Sequence, residues 1–103
     1  MSERLVVLMT AGSQEEADKI ANALVTEMLA ACVNVVPGVE SHYWWEGAIQ
    51  NESESLLVIK TTANKVEELT AALPEIYPYD VPELLAIPVE GGSPAYLAWL
   101  RSQ

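Results

Sequence analysis

Residues 31–47, "ACVNVVPGVESHYWWEG", decide how this chain folds. The opening residues 31–36 are apolar and rich in valine, which suits a strand. Pro37-Gly38 interrupts them. Proline lacks the ladder N–H and glycine accepts unusual dihedrals, so a bulge or sharp bend is expected there. The strand resumes at Val39 and runs to Trp45. Its alternation sends Ser41, Tyr43 and Trp45 to one face and His42 and Trp44 to the other. Glu46-Gly47 is a turn signal, and residues 50–61, "QNESESLLVIKT", return. The prediction is a long hairpin, polar in its outer part and apolar in its inner part.

Before the hairpin, residues 4–10 (RLVVLMT) form a continuous apolar run, as expected of a strand covered on both faces. Gly12-Ser13 breaks that run, and Ser13 with Glu16 makes a capping box. Ala17, Ile20, Ala21, Leu24, Val25, Met28 and Leu29 then recur at helical spacing. After the hairpin, Asn64 with Glu67 repeats the capping pattern, and Val66, Leu69, Leu73 and Ile76 form a second apolar stripe. Pro74 should kink or end that helix. Residues 83–89 (ELLAIPV) read as a further strand, with Pro88 marking an edge. Gly91-Gly92 turns, Ser93 caps, and Pro94 suits the first position of a short helix through Leu100. The order strand, helix, strand, strand, helix, strand is the ferredoxin-like split βαβ pattern, an α+β fold with a short C-terminal extension. It implies an antiparallel sheet with both main helices on one face.

A chain of 103 residues is long enough for one domain spanning residues 1–103 and too short for two. Half of its residues are hydrophobic, a surplus that suits either burial between subunits or a compact, generously packed monomer. Fifteen acidic against five basic residues leave a net charge of −10. Such a chain cannot offer a phosphate backbone the basic stripe it needs, so nucleic acid is an unfavourable partner. An anionic membrane is disfavoured for the same reason. Cys32 is the only cysteine, which excludes an intrachain disulfide and fits a reducing compartment. The apolar runs are too short to span a bilayer, and the expected location is the cytoplasm.

Catalytic sets are hard to assemble from these residues. His42 is the only histidine, and Cys32 lies ten residues away on the same bent strand in an apolar setting. Glu52 and Glu54 have same-face spacing, but in a polar segment that reads as a solvated edge. Gly12 stands alone, so no phosphate-cradling loop joins strand to helix. No enzymatic activity is expected. His42 with Glu40 and Glu46 offers too few donors for a closed metal site unless subunits share it. Lys60 ends the apolar run LLVI. It must snorkel or meet a carboxylate, with Glu83 as a plausible partner, and structural pairing and anion recognition in a cleft stay equally open. The aromatics Tyr43, Trp44, Trp45, Tyr77 and Tyr79 suit an interface or a pocket wall.

"LAACVNVVPGVESHYWWEG", "LLVIKT", "YPYDVPELLAIPV" and "SPAYLAWL", in this order and spacing, resemble the CutA family of divalent-cation tolerance proteins. The resemblance implies a ferredoxin-like subunit in a homotrimer, with strands pairing across subunits, similar to the PII-type signalling trimers. It implies an association with copper and other divalent cations, a bacterial cytoplasmic location, and no established catalysis or obligatory cofactor. Of the metal ligands proposed in the family, the cysteine corresponds here to Met9 and the histidine falls near Ile76 and Tyr77. The glutamate is present as Glu83. Met9 and Glu83 are therefore the candidate metal ligands, with Met9 a soft thioether donor. Tyr43, Trp45, Glu46, Lys60, Tyr79 and Glu83 are the candidate lining of an intersubunit cleft.

Overall fold

The computed structural model describes residues 3–76 and 83–103. The elements run β1 (Arg4–Ala11), α1 (Gln14–Thr26), β2 (Cys32–Trp45), β3 (Ala48–Thr62), α2 (Ala63–Ile76), β4 (Leu85–Pro88) and α3 (Pro94–Ser102). The four strands form one antiparallel sheet in the order β2-β3-β1-β4. This is the ferredoxin-like α+β arrangement expected from the element order.

Alternation along β1 and β3 divides the sheet into two faces. Val7, Met9, Ala11, Leu57 and Ile59 are enclosed with Ala17, Ile20 and Leu24 of α1 and Leu69 and Leu73 of α2. Burying the Val, Leu, Ile and Met side chains among them stabilises the fold by roughly 1.5–3 kcal/mol each relative to exposure. Their even-numbered neighbours point to the other face, which neither α1 nor α2 covers. The β1 run is apolar throughout because both its faces carry apolar side chains, although only one is packed within the subunit.

Local chemistry sets the helix ends. Ser13 caps α1, its Oγ accepting the Glu16 N–H at 3.1 Å. The apolar pattern of α1 continues to Leu29, but the helix ends at Thr26. Met28 sits at φ 60°, a left-handed position, and reverses the chain so that Leu29 and Ala30 turn into the core. The expected Asn64 cap does not form. The helix α2 begins at Ala63, directly after the strand, and Asn64 Oδ1 accepts a hydrogen bond from Thr62 Oγ1 instead. Pro74 is carried inside α2 only two residues from its end, where one lost donor costs little. The last strand is shorter than the apolar run implied, and lies at the sheet edge, where Pro88 is tolerated. Ser93 caps α3 with Pro94 at its start. That helix is tied to the end of the sheet, where Arg4 Nε donates to the Leu97 carbonyl at 2.8 Å and Leu100 is buried.

The hairpin of β2 and β3 makes the molecule long. Its register shifts between Val36 and Val39, where β2 spends one residue more than β3. Gly38 at φ 75° supplies the left-handed backbone this bulge needs. Beyond it the pairs run from Val39↔Glu54 to Trp45↔Ala48, a two-stranded ribbon roughly 20 Å long. Glu46 at φ 49° and Gly47 at φ 79° close it as a two-residue turn with both dihedrals positive, the form that matches strand twist. The radius of gyration, 14.3 Å, exceeds the roughly 13 Å of a compact chain of this length, because the ribbon projects from the body.

Candidate ligand site on the open sheet face

The register assembles the open face strand by strand. From β3 it takes Glu54, Leu56, Val58 and Lys60, and from β1 Val6, Leu8 and Thr10. Cys32, Asn34 and Val36 of β2 lie opposite Lys60, Val58 and Leu56. Leu85 and Ile87 of β4 lie beside Leu8 and Val6. Val36, Leu85 and Ile87, on the two edge strands, are 43, 59 and 46% exposed, so large apolar side chains on this face stand open to water. Beyond the bulge the same phase carries Tyr43 and Trp45, while Trp44 and its cross-strand partner Ile49 sit on the reverse, 72 and 64% exposed. The ribbon thus exposes apolar side chains on both its faces.

Among the described residues, the candidate cleft side chains do not all converge within one subunit. Tyr43 pairs with Gln50, ten residues along β3 from Lys60, a separation of about 33 Å. Trp45 and Glu46 lie farther still, at the ribbon tip. The pairing of Lys60 with Glu83 also fails. Lys60 Nζ donates to Asn34 Oδ1 at 2.5 Å. Glu83 lies instead near Glu54, about 20 Å along β3 from Lys60. Glu83 is exposed overall, but partial desolvation raises the pKa of its carboxyl, and the Glu54 charge adds to the rise. Tyr79 and Tyr77 lie outside the described residues.

Met9 is corrected as a metal ligand. Its side chain is wholly enclosed in the apolar core on the helix-backed face, whereas Glu83 lies near Glu54 on the opposite face. A thioether closed off by leucine and isoleucine has no open side for an ion. Ile76 is likewise packed against that core. His42 is exposed on the ribbon opposite Asn51, and among the described residues no three His, Cys, Asp or Glu side chains gather to hold a metal. Among the described residues, a copper set of the kind implied by the resemblance therefore does not fit one subunit, where Glu83 is the candidate donor left. Two partners were not anticipated from the sequence: Asn34 for Lys60, and Glu54 for Glu83.

Residues 5–103 match the family of the CutA1 divalent ion tolerance protein. The chain belongs to the CutA1 family. It is similar to the chloroplastic CutA protein of Arabidopsis thaliana, at 50% identity over 95% of this chain and 54% of that protein. It is also similar to the divalent-cation tolerance protein CutA of Thermus thermophilus, at 48% identity over 93% of each. The solved Thermus thermophilus CutA1 structure superposes with a TM-score of 0.92 at 46% identity, covering 96% of both chains. That of CutA1 from Oryza sativa gives 0.93 at 44% identity, covering 98% of this chain and 93% of the other. This CutA1 chain spans about half the length of the plant relatives it matches. The family link is to divalent-ion tolerance.

Proposed function

We propose that this CutA1 chain works as a non-catalytic homotrimer that binds divalent cations, copper among them, or a small molecule in clefts between subunits, in the manner of PII-like sensors. The observation that carries this reading is the uncovered apolar face of the sheet, continuous with the exposed aromatics of the ribbon. Exposed apolar surface of this kind marks an interaction site. A two-stranded ribbon is marginal alone and gains support when neighbours pack on it. Strands β2 and the four-residue β4 are the edges of the sheet among the described residues and suit strand addition by a second copy. An assembly also offers a way to bring Tyr43, Trp45 and Glu46 of one copy beside either Lys60 or Glu83 of another. The lone cysteine, half-buried and free, supports a cytoplasmic setting.

Cation binding in this reading needs more than one subunit. Symmetry multiplies Glu83, and an oxygen donor from each copy would suit a hard divalent ion better than Cu(I). The test is calorimetric titration of the assembled protein with copper, zinc and magnesium. Binding that disappears in Glu83→Gln supports the cation role. Binding that is weak and unchanged in Glu83→Gln contradicts it. The enclosure of Met9 favours an alternative reading, a stable structural or interaction trimer whose metal binding is incidental, and weak binding unchanged in Glu83→Gln would support it.

A further inference from the structure

Lys60 is half-buried and stands among apolar side chains. Its cross-strand partners are Val6 on β1 and Cys32 on β2, and Val58 precedes it on the same face. A lysine ammonium has three N–H donors. One is taken by Asn34 Oδ1, and the ion pair found among the described residues joins Arg101 to Glu3, not Lys60 to a carboxylate. Asn34 gives its oxygen to Lys60, which leaves its NH2 group as a further pair of donors beside the ammonium. The result is a spot with several donors, some of them on a charged group, and no anion among the described residues, on an otherwise apolar surface.

We propose that Lys60 Nζ and Asn34 Nδ2 together form an oxyanion-binding site on the open sheet face, taking a carboxylate or phosphate group. This deepens the cleft reading and rests on the open face being covered in the assembled protein. Covering that face strips water from the ammonium, and an unpaired charge in such a setting is strongly unfavourable. An oxyanion removes the penalty and forms charge-assisted hydrogen bonds, stronger than neutral ones. The Asn34 contact holds the flexible lysine in place and supplies direction that a point charge lacks. The same chemistry has two sources: a free small anion, or a carboxylate of a neighbouring copy.

The full chain is titrated with inorganic phosphate and, separately, with succinate, following the side-chain NMR resonances of Lys60, with chloride at equal ionic strength as control. Light scattering records the assembly in parallel. A saturable shift with either probe, absent with chloride, lost in Lys60→Met and weakened about tenfold in Asn34→Ala, supports a free anion. Without such a shift, an assembly that dissociates at tenfold or more higher protein concentration in Lys60→Met supports a neighbour's carboxylate. No shift together with an unchanged or tighter Lys60→Met assembly overturns the site. A chain of monomer mass contradicts the trimer reading, and the phosphate titration then decides the site alone: a saturable shift upholds it and its absence overturns it.

Discussion

The odd and even residues of β3 live in different surroundings. Leu57 and Ile59 are wholly enclosed by α1 and α2, while Leu56 and Val58, equally apolar, face outward and are only half-buried. Composition does not separate them; the pleat does. The helix-backed face holds the subunit together. The open face has apolar surface, a lysine bonded to Asn34 at one end and the Glu54 and Glu83 carboxylates toward the other, and on our reading it holds subunits together. Substitutions that respect this division should act on one property and spare the other.

The largest effect is expected on the helix-backed face. Leu57→Ala should lower unfolding stability by about 2–5 kcal/mol, measured by urea denaturation. Val58→Asp, one residue away, should leave secondary structure by circular dichroism intact but break the assembly, since a charge is placed where apolar surface must be buried. If Val58→Asp unfolded the subunit as Leu57→Ala does, the two faces would not be distinct in function. Tryptophans of the ribbon should follow the open face: Trp44→Ala should change subunit secondary structure little and weaken association.

A smaller effect is expected from Glu83. Its pKa is raised by partial burial and by Glu54. A carboxyl with a raised folded-state pKa keeps its full contribution below its unfolded value and loses it as pH rises through the folded value. Glu83→Gln should therefore match the parent at low pH and melt higher than the parent above the carboxylate range, by thermal scans across pH. A bound divalent cation should cancel that difference by neutralising the pair. The smallest effect belongs to the turn. Glu46 holds a left-handed dihedral that asparagine tolerates better, so Glu46→Asn should stabilise the ribbon by up to about 1 kcal/mol.

Much of the fold was legible because periodicity, turn residues and caps agreed. The helix stripes, the Pro37-Gly38 bulge and the Glu46-Gly47 turn each carry their own local signature. Asn64 misled because Thr62 engages its side chain and the helix starts earlier, directly from the strand. The site was less legible because it depends on register. Counting back from a two-residue turn and allowing one extra residue at Pro37-Gly38 sets Lys60 opposite Cys32, with Asn34 as its diagonal neighbour. That signal was present in the sequence, but it needed the bulge to be counted as one residue. Met9 could not be placed by composition alone, since an unbroken apolar strand hides which of its faces the helices cover. Trp45 and Lys60 lie far apart along the hairpin, and on our reading only a second copy brings such residues together.

The mass of the protein in solution bears on all of this most directly. Light scattering or sedimentation at micromolar concentration should give three times the 11.2 kDa chain mass, with Val58→Asp shifting it toward one chain while helix and strand content persist. A parent protein with the mass of a single folded chain, its apolar sheet face open to water, would contradict the trimer and the division between the two faces.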